Sequence, residues 1–374
     1  MKPIRILHVV RIMNRGGAET LIMNLYRQID RSQIQFDFAV SSDKPGDYDN
    51  EIRELGGRII IHPHPTTEGI IAFQKSFLNT LRSHGPYQAV HSHVYTFSGF
   101  VLKIAKKENI PVRVAHCHTT QDGHGHNPMR AMYRWYARKM ILTYSNHMIG
   151  CSKAASEALF GKNCFSDPRV QVLANGIDLE PYKALNSQAK SEVRRRLGLP
   201  VDSRIIGHIG RFSEVKNHKK IIEIFECVVK ARPDTQLVLV GDGPLKAAVE
   251  EDVKNRGLGK KIHFMGVRKE IPEILKAMDV FLMPSLFEGV PVVLIEAQAS
   301  GLPCIVANTI TKAADLSSSQ FKFLNLEDSA EHWADEVIDF LENDLPEWDM
   351  REKAIQQAGY DIRTVVNKLS AVYM

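Results

Sequence analysis

The chain has 374 residues, of which 44% are hydrophobic and 24% are charged, and its formal net charge is +5. These values are ordinary for a globular protein and exclude the disordered, collagen-like and coiled-coil classes. The length predicts two domains, and the small positive excess suits an anionic small ligand or membrane surface better than nucleic acid.

Short apolar runs alternate with helical patterns through the first half of the chain. The strand candidates are residues 4–10, 36–40, 58–61, 89–91, 112–115 and 147–150. The first run is followed by Gly16-Gly17 and an amphipathic stretch to about Ile29, which predicts a strand, a glycine loop and a helix. Strands that alternate with helices form mostly parallel sheets covered on both faces.

The same alternation begins again in the second half. Its strand candidates are residues 205–209, 236–240, 262–264, 280–283 and 304–307. We therefore expect two doubly wound α/β domains, 1–180 and 181–356, joined by a linker near 179–183, with ligands at the carboxyl ends of the strands. An amphipathic pattern over 357–374 predicts a last helix.

Two glutamates stand out in the segment 284–303, PSLFEGVPVVLIEAQASGLP. Glu288 lies in a glycine-containing loop, and Glu296 lies about two turns into the helical pattern that follows. The N-terminus of a helix presents free N–H groups and suits a diphosphate. The two carboxylates can accept hydrogen bonds from sugar and ribose hydroxyls, and a helix cap at the surface is the alternative.

Two cations stand out in the segment 208–228, HIGRFSEVKNHKKIIEIFECV. Arg211 and Lys216 follow a strand that ends at Gly210 and precede a helical pattern. A guanidinium and an ammonium on one loop can neutralise a leaving diphosphate, a task that a divalent metal performs in many other sites. Ordinary surface charge is the alternative.

Together these segments resemble the family 4 glycosyltransferases, which retain anomeric configuration and have the GT-B fold of two Rossmann-like domains facing across a cleft. The matching residues are Gly16-Gly17-Ala18-Glu19, Asn175-Gly176-Ile177-Asp178, Gly210-Arg211-Phe212 with Lys216-Asn217, Gly241-Asp242-Gly243-Pro244, and Glu288 with Glu296. They occur in the expected order across nearly the whole chain. The chain also resembles, more loosely, the bacterial capsule and exopolysaccharide enzymes.

The resemblance implies transfer of a sugar from a nucleotide-diphosphate donor, here a UDP-sugar, to a glycan or lipid-linked acceptor, with no metal or other cofactor. It assigns Arg211 and Lys216 to the donor diphosphate. Glu288 would hold the donor sugar, and Glu296 would bind the nucleotide ribose. His118 corresponds to a family histidine beside the transferring sugar and completes the catalytic set. The last helix is expected to pack back on the N-terminal domain.

The expected donor-binding residues extend along several loops. They are Gly16, Gly17, Arg211, Lys216, Gly241, Val267, Glu288, Gly289, Val290, Pro291, Val292 and Glu296. The resemblance implies that Gly16 and Gly17 allow a close approach to the phosphates. Many family members have glycine where this chain has Pro291. Because proline has no amide N–H, one donor to the sugar or phosphate is missing here.

Histidines are concentrated in one stretch of the first half. His91, His93, His116, His118, His124 and His126 fall there, together with Cys117 and Asp122. A zinc site is one interpretation of this cluster. Because alternate residues of a strand point the same way, the pairs His91/His93 and His116/His118 can instead each line one face of the cleft. We expect His91, His93 and His116 on the acceptor side and no metal, with purely structural histidines as a further alternative.

Residues 128–142 have a helical pattern with an apolar and a basic side. Met129, Met132, Tyr133, Tyr136 and Met140 share the apolar face of the helical wheel. The residues expected to rest on an anionic membrane are Arg130, Arg134, Trp135, Arg138 and Lys139. A basic residue at such a surface contributes about 1 kcal/mol, and tryptophan favours the interface. The alternative is a core helix with a solvated basic face.

Three other functions fit parts of this pattern. A nicotinamide oxidoreductase is disfavoured because RIMNRGGAE lacks the Gly-x-Gly-x-x-Gly spacing. An epimerase of the same fold that acts on UDP-N-acetylglucosamine and a non-catalytic sugar-nucleotide-binding protein are the remaining alternatives. Release of UDP only when an acceptor is supplied would favour the transferase.

The cysteines are scattered and form no C-x-x-C pair. This usage indicates a reducing compartment. The start of the chain lacks the apolar run and cleavage site of a signal peptide, and no apolar run approaches the length of a spanning helix. We therefore expect a cytoplasmic protein that can associate peripherally with the inner face of the plasma membrane.

Overall fold

Two parallel sheets organise the computed structural model, which describes residues 2–120, 127–317, 320–342 and 347–374. The strands are β1 (Ile4–Val10), β2 (Ile34–Val40), β3 (Arg58–Ile61), β4 (Ala89–Ser92), β5 (Val112–Cys117), β6 (His147–Gly150), β7 (Val170–Val172), β8 (Arg204–Ile209), β9 (Thr235–Val240), β10 (Ile262–Gly266), β11 (Val280–Met283), β12 (Cys304–Ala307) and β13 (Phe321–Leu324). The helices are α1 (Gly17–Gln28), α2 (Asp49–Glu54), α3 (Ile70–Ser83), α4 (Ser98–Lys107), α5 (Pro128–Tyr144), α6 (Lys153–Phe160), α7 (Glu180–Asn186), α8 (Lys190–Leu197), α9 (His218–Ala231), α10 (Lys246–Asn255), α11 (Ile271–Ala277), α12 (Val292–Ala299), α13 (Ala330–Phe340), α14 (Trp348–Gln357) and α15 (Ile362–Tyr373).

The first of two units contains residues 1–177 and 359–374. Its 7-stranded sheet has the order β3-β2-β1-β4-β5-β6-β7, and all neighbouring strands are parallel. Consecutive side chains of β1 point to opposite faces of the sheet and pack in two different cores. Ile6 packs with Phe36 on one face, and Leu7 packs with Phe73 on the other. Burying each such side chain contributes about 1.5–3 kcal/mol.

Helix α15 belongs to this first unit, where it packs against α1. Val365, Leu369 and Tyr373 are buried and lie four residues apart, so they share one face of the helix. That face completes the core that contains Ile6 and Phe36. The last residues of the chain are therefore part of the same core as its first strand.

The second unit contains residues 178–358. Its 6-stranded sheet has the order β10-β9-β8-β11-β12-β13, again with parallel neighbours. Each sheet thus repeats the same arrangement, in which the strand order reverses beside its first strand. In open parallel sheets, ligands bind at the carboxyl ends of the strands that flank such a reversal. Here these are β1 and β4 in one unit and β8 and β11 in the other.

A buried aspartate lies beside the central strands of each unit. In the first unit, Asp37 accepts hydrogen bonds from Arg5 Nε at 2.8 Å and Arg58 Nε at 3.0 Å. Burial alone would raise the pKa of Asp37, but the bonds from the two arginines outweigh it and hold this pKa below its usual value. A carboxylate buried in this way stays ionised because cations surround it.

In the second unit the buried carboxylate is that of Asp279, just before β11. It accepts from Lys190 Nζ at 2.7 Å, Arg194 Nη2 at 2.6 Å and the backbone N–H of Ile205 at 2.7 Å. Burial alone would raise the pKa of Asp279, but the charges of Lys190 and Arg194 hold it below its usual value. These bonds attach α8 to the starts of β8 and β11.

The strands predicted from sequence are confirmed, most within one or two residues at each end. Two edge strands, β7 and β13, were not predicted. The boundary after residue 177 lies close to the linker expected near 179–183, although α7 already begins at Glu180. The chain passes between the two units after residue 177 and after residue 358.

Candidate active site

Two glycines let the loops after β8 and β9 approach each other. The backbone N–H of Gly210 donates to Val240 O at 2.9 Å. Gly241 and Gly243 have φ of +136° and +159°, and a Cβ on either would collide with the carbonyl oxygen of Gly210 or Phe212 respectively. A side chain at either position would push these loops apart, so the close approach requires glycine.

The charged pair of the second unit is Lys216 with Glu288, whose Nζ and Oε1 lie 2.6 Å apart. Lys216 follows β8 and Glu288 follows β11, which are neighbouring strands. Asn217 joins the two loops, since its Nδ2 donates to Pro284 O at 3.0 Å. The structure therefore places both sequence-predicted residues in one site at the carboxyl edge of the sheet.

Glu296 lies one turn into α12 rather than about two turns, because the helix begins at Val292. Burial raises the pKa of Glu296 to about 7, while a hydrogen bond from the buried hydroxyl of Tyr182 acts in the opposite direction. Tyr182 belongs to α7, a helix that was not predicted from the sequence. A carboxyl group poised in this way can change its charge near neutral pH.

The remaining donor-side candidates lie on accessible loops. Arg211 is exposed, and Val267 follows β10 at an exposed position. The loop 288–291 leads into α12, with Pro291 as its N-cap residue and no side-chain cap. A Cβ on Gly289 would meet no atom within 4 Å, so space is open in front of this loop. Val290 and Val292 are half-buried.

In the first unit, Gly16 and Gly17 lie where α1 begins. Gly16 is the N-cap residue, and a Cβ there would lie 2.5 Å from Glu19 Oε2. Gly17 has open space where a Cβ would be. Burial raises the pKa of Glu19, whose side chain folds back over the start of the helix. Because the Glu19 carboxylate is the end of a flexible side chain that can move aside, neither Gly16 nor Gly17 is required here for steric reasons.

The histidines gather at the carboxyl ends of β1, β4 and β5. His8 pairs in register with His91, a partner that sequence reasoning missed because strand register cannot be read from one sequence. The rings of His91 and His93 stack with centroids 4.3 Å apart, and those of His116 and His118 lie 4.0 Å apart. The predicted orientation of each pair toward one side is confirmed. His124 and His126, with Asp122, lie outside the described residues.

The acceptor-side assignment of His91 and His116 needs correction. Both side chains are buried, and His91 Nε2 and His116 Nδ1 are hydrogen-bonded at 3.0 Å. His91 Nδ1 is 2.6 Å from the hydroxyl of Tyr373 on α15. Burial, the larger effect, and neighbouring histidines together lower the pKa of both rings well below its ordinary value. Among the described histidines of this cluster, His93 and His118 alone are partly exposed and available to a ligand.

Two groups of three histidines could hold a metal ion among the residues that the structure describes. They are His8, His91 and His93, and His93, His116 and His118, each with nitrogen atoms within 4.8 Å of one another. His93 belongs to both groups. Burial is the main cause that lowers the pKa of these five rings, to about 3 for His8 and about 4 for His118. The cluster is therefore uncharged at neutral pH.

Helix α5 presents a different face from the one that the helical wheel predicted. Met129 and Met132 are 76% and 67% exposed, so most of the expected apolar face is not in the core. Ala137, Met140 and Ile141 make the buried side instead. The two ends of one helix can have different surroundings. The neighbouring elements decide which side of the helix is buried at each end.

Among the expected membrane residues, Arg138 is assigned wrongly. Its guanidinium donates to Leu159 O at 2.9 Å and Ala158 O at 2.8 Å and so turns toward α6. Trp135 is exposed, and Lys139 Nζ lies 3.9 Å from the centre of its ring. Arg130 and Arg134 are half-buried. Within the described part of the chain, no helix is long and apolar enough to span a bilayer.

Comparison with known proteins agrees with this architecture. The family model described as Glycosyltransferase Family 4 matches residues 15–181, and that described as Glycosyl transferases group 1 matches residues 189–359. These matches and the paired parallel sheets define a glycosyltransferase of the GT-B fold. The chain is 39% identical over 369 residues to the putative glycosyltransferase EpsF of Bacillus subtilis, covering 99% of this chain and 96% of that one. The chain belongs to glycosyltransferase family 4.

Two further proteins are informative. The UDP-Gal:alpha-D-GlcNAc-diphosphoundecaprenol alpha-1,3-galactosyltransferase of Escherichia coli is 29% identical over 255 residues, covering 67% of this chain and 57% of that protein. The crystal structure of HepE from Anabaena in complex with UDP and glucose superposes with a TM-score of 0.77 at 18% identity, covering 98% of each chain. The latter likeness supports the fold alone.

Proposed function

We propose that this enzyme transfers a sugar from a UDP-sugar, with retention of configuration, to a glycan or lipid-linked acceptor in bacterial polysaccharide synthesis. The observation that carries the proposal is the 2.6 Å ion pair of Lys216 and Glu288 at the carboxyl edge of the second sheet. Arg211 adds a second, exposed cation on the loop after β8. The two cations can bind the oxygens of a diphosphate, and the carboxylate can accept hydrogen bonds from the hydroxyls of a sugar.

The donor class is supported by the names of similar proteins. HepE was crystallised with UDP and with UDP-glucose, and the name of the relative from Escherichia coli includes a UDP-galactose donor. In this chain, half-buried Glu296, which is hydrogen-bonded by the buried Tyr182 hydroxyl, offers a carboxyl group for the ribose hydroxyls. The free N–H groups at the start of α12 offer donors for the phosphates, except at Pro291.

Catalysis in this proposal is electrostatic and needs no metal. As the diphosphate departs, negative charge develops on its oxygens, and Arg211 and Lys216 stabilise that charge most strongly in the transition state. Glu288 fixes the position of the Lys216 ammonium before the donor binds. A cation held in place in advance needs little reorganisation during the reaction, which is where its catalytic benefit lies.

The transfer itself occurs on one face of the donor sugar. The bond from C1 to the phosphate oxygen breaks, the acceptor hydroxyl oxygen bonds to C1, and the hydroxyl proton passes to the departing phosphate. No covalent enzyme adduct forms. By resemblance, His118 is the histidine beside the sugar, and burial lowers its pKa to about 4, so it acts as a neutral hydrogen-bonding group. Trapping of a glycosyl adduct on Glu288 would contradict this mechanism.

A panel of nucleotide sugars tests the donor and the absence of a metal together. We expect UDP-sugars, and not GDP- or ADP-sugars, to raise the unfolding temperature, because a ligand that binds only the folded state stabilises it by mass action. With a matched acceptor, activity should persist in EDTA. Loss of activity in EDTA with recovery on adding magnesium or manganese would contradict the proposed catalysis.

A membrane-bound acceptor fits the exposed side of α5. The name of the relative from Escherichia coli includes a diphosphoundecaprenol, which is a lipid-linked acceptor. Met129, Met132 and Trp135 are exposed on α5, with Lys139 beside the indole ring. Apolar and tryptophan side chains enter the interface, and a basic residue attracts anionic headgroups. We propose that this face holds the enzyme at the inner face of the plasma membrane.

Co-sedimentation with vesicles tests the membrane contact. We expect binding to anionic vesicles that weakens as salt rises, since the attraction of basic residues is screened. Changing Met132 and Trp135 together to serine should reduce the bound fraction several-fold, whereas Phe165→Ser, at another exposed apolar position, should not. Equal failure to bind neutral and anionic vesicles would remove the membrane contact and leave the transferase assignment intact.

A further inference from the structure

The histidine cluster of the first unit is more elaborate than hydrogen bonding to one sugar requires. Two hydrogen-bonded chains run through it: His8 Nδ1 to His93 Nε2 at 3.0 Å, then His93 Nδ1 to His118 Nε2 at 2.8 Å, and separately His116 through His91 to Tyr373. Sequence reasoning expected no metal here. The structure brings together imidazoles from three neighbouring strands, and such a group can bind a metal ion.

Several nitrogens of this cluster have no partner. Among the described residues, His8 Nε2, His116 Nε2 and His118 Nδ1 are buried without a hydrogen bond. The side chain of His116 is almost completely buried. A buried imidazole nitrogen without a partner is unfavourable, so such atoms usually face a ligand or water. A bound cation would give His116 Nε2 the partner that this buried nitrogen lacks.

We propose that His93, His116 and His118 form a binding site for one divalent transition metal ion of the zinc class. Their ligand nitrogens lie within 4.8 Å of one another, and His93 Nδ1 is 2.8 Å from His118 Nε2. Two imidazole nitrogens on one tetrahedral zinc ion lie about 3.3 Å apart, given zinc–nitrogen distances of about 2.0–2.1 Å. The hydrogen-bonded pair therefore needs to open by only about half an ångström.

The outer hydrogen bonds hold two of the ligands in the required tautomer. When His116 Nε2 binds the ion, its Nδ1–H donates to His91 Nε2, and His91 Nδ1–H donates to the Tyr373 hydroxyl. When His93 Nδ1 binds the ion, its Nε2–H donates to His8 Nδ1. Such partners on the far ring nitrogen orient metal-bound histidines in known sites. The proton between His93 and His118 moves to His118 Nδ1, so binding releases no net proton.

The chemistry of the site favours certain ions. Three neutral imidazoles without a carboxylate suit zinc, cobalt, nickel or copper and not magnesium or calcium, which prefer oxygen ligands. His93 and His118 are partly exposed, which gives the ion an entry path. Three histidines leave a fourth position for water or a substrate hydroxyl. Because the proposed function uses His118 as a free ring, zinc bound there should inhibit transfer.

Metal titration of the tag-free full chain tests the site. We expect one Zn²⁺ per chain by calorimetry and a tetrahedral absorption band with Co²⁺, which is a readout independent of activity. His118→Gln and His93→Gln should weaken binding at least tenfold. Tyr373→Phe, which removes an outer hydrogen-bond partner, should weaken it about tenfold. His147→Gln, a partly exposed histidine on β6 outside the proposed site, should have no effect.

The outcomes separate this site from the proposed transfer reaction. UDP binding measured by thermal shift depends on the second unit and should be the same with and without zinc. If wild type and His118→Gln bind zinc equally, or if no stoichiometric binding occurs, the histidines are only a hydrogen-bonded network and the metal site is refuted. That result leaves the transferase assignment unchanged. Loss of UDP binding would instead contradict the proposed function.

Discussion

The two units have the same sheet order around their first strands but opposite chemistry at the carboxyl ends of those strands. The first unit presents imidazoles that burial keeps uncharged, whereas the second presents Lys216, Glu288 and Arg211. A shared backbone arrangement therefore fixes where a ligand can bind but not what binds. In the proposed function, the charged edge of the second sheet binds the nucleotide diphosphate. The uncharged edge of the first sheet forms hydrogen bonds with hydroxyl groups.

The buried aspartates sharpen this comparison, because the cations that pair with them differ in exposure between the two units. In the second unit, the side chains of Arg194 and Lys190 that pair with Asp279 are 6% and 26% exposed. In the first unit, those of Arg5 and Arg58 that pair with Asp37 are 25% and 39% exposed. Cations that can still reach water lose less when their partner is removed.

The largest effect is therefore expected for Asp279→Asn. It should lower the free energy of unfolding of the second unit by about 3 kcal/mol, because the Arg194 charge remains buried and unpaired. Asp37→Asn should cost the first unit about 1–2 kcal/mol. Hydrogen exchange read on peptides from each unit measures the two losses separately. Equal losses in the two units would show that the exposure of the cationic partners does not decide the cost of removing the aspartate.

The next effect is expected at the charged edge. Lys216→Ala should reduce kcat about a hundredfold or more, which is typical when one preorganised electrostatic donor is removed. Lys230→Ala is a matched control, because Lys230 lies at the other end of α9 and pairs with Glu226. Steady-state kinetics with a UDP-sugar would show the difference. An unchanged kcat would mean that Lys216 does not stabilise the leaving diphosphate and that its role is limited to the ion pair with Glu288.

A smaller effect is expected from pH. The pKa of Glu296 is about 7, so its carboxyl group is mostly protonated at pH 6 and mostly ionised at pH 8. The ionised carboxylate of Glu296 can accept hydrogen bonds from the ribose hydroxyls. UDP affinity should then fall about tenfold from pH 8 to pH 6, in proportion to the ionised fraction. Calorimetry of wild type and Glu296→Gln separates this effect from the titration of UDP itself. Parallel pH profiles in the two proteins would exclude it.

Much of the fold could be read from the sequence, because buried parallel strands are continuous apolar runs between helical patterns. The misses have physical reasons. Strand β7 has only three residues, of which Gln171 and Val172 are exposed, and β13 at the other sheet's edge mixes Phe with Lys322. Edge strands are covered less completely, so their apolar pattern is weaker than that of central strands.

The site was predictable to the extent that its residues follow strands. Lys216 and Glu288 could be expected to meet because β8 and β11 are neighbours in a doubly wound sheet. The partners Tyr182 and Tyr373 could not be expected, since each reaches its site from a helix distant in sequence. The side of α5 that is exposed also depends on which elements cover it, which a helical wheel does not contain.

The return of α15 to the first unit has a consequence for synthesis on the ribosome. All residues of the second unit precede residue 359, whereas the first unit lacks Val365, Leu369 and Tyr373 until these residues have also emerged. The part of the chain that is translated first therefore completes its core last. During that interval the core around Ile6 and Phe36 is covered by α1 but not by α15, so part of its apolar surface stays exposed and prone to aggregation.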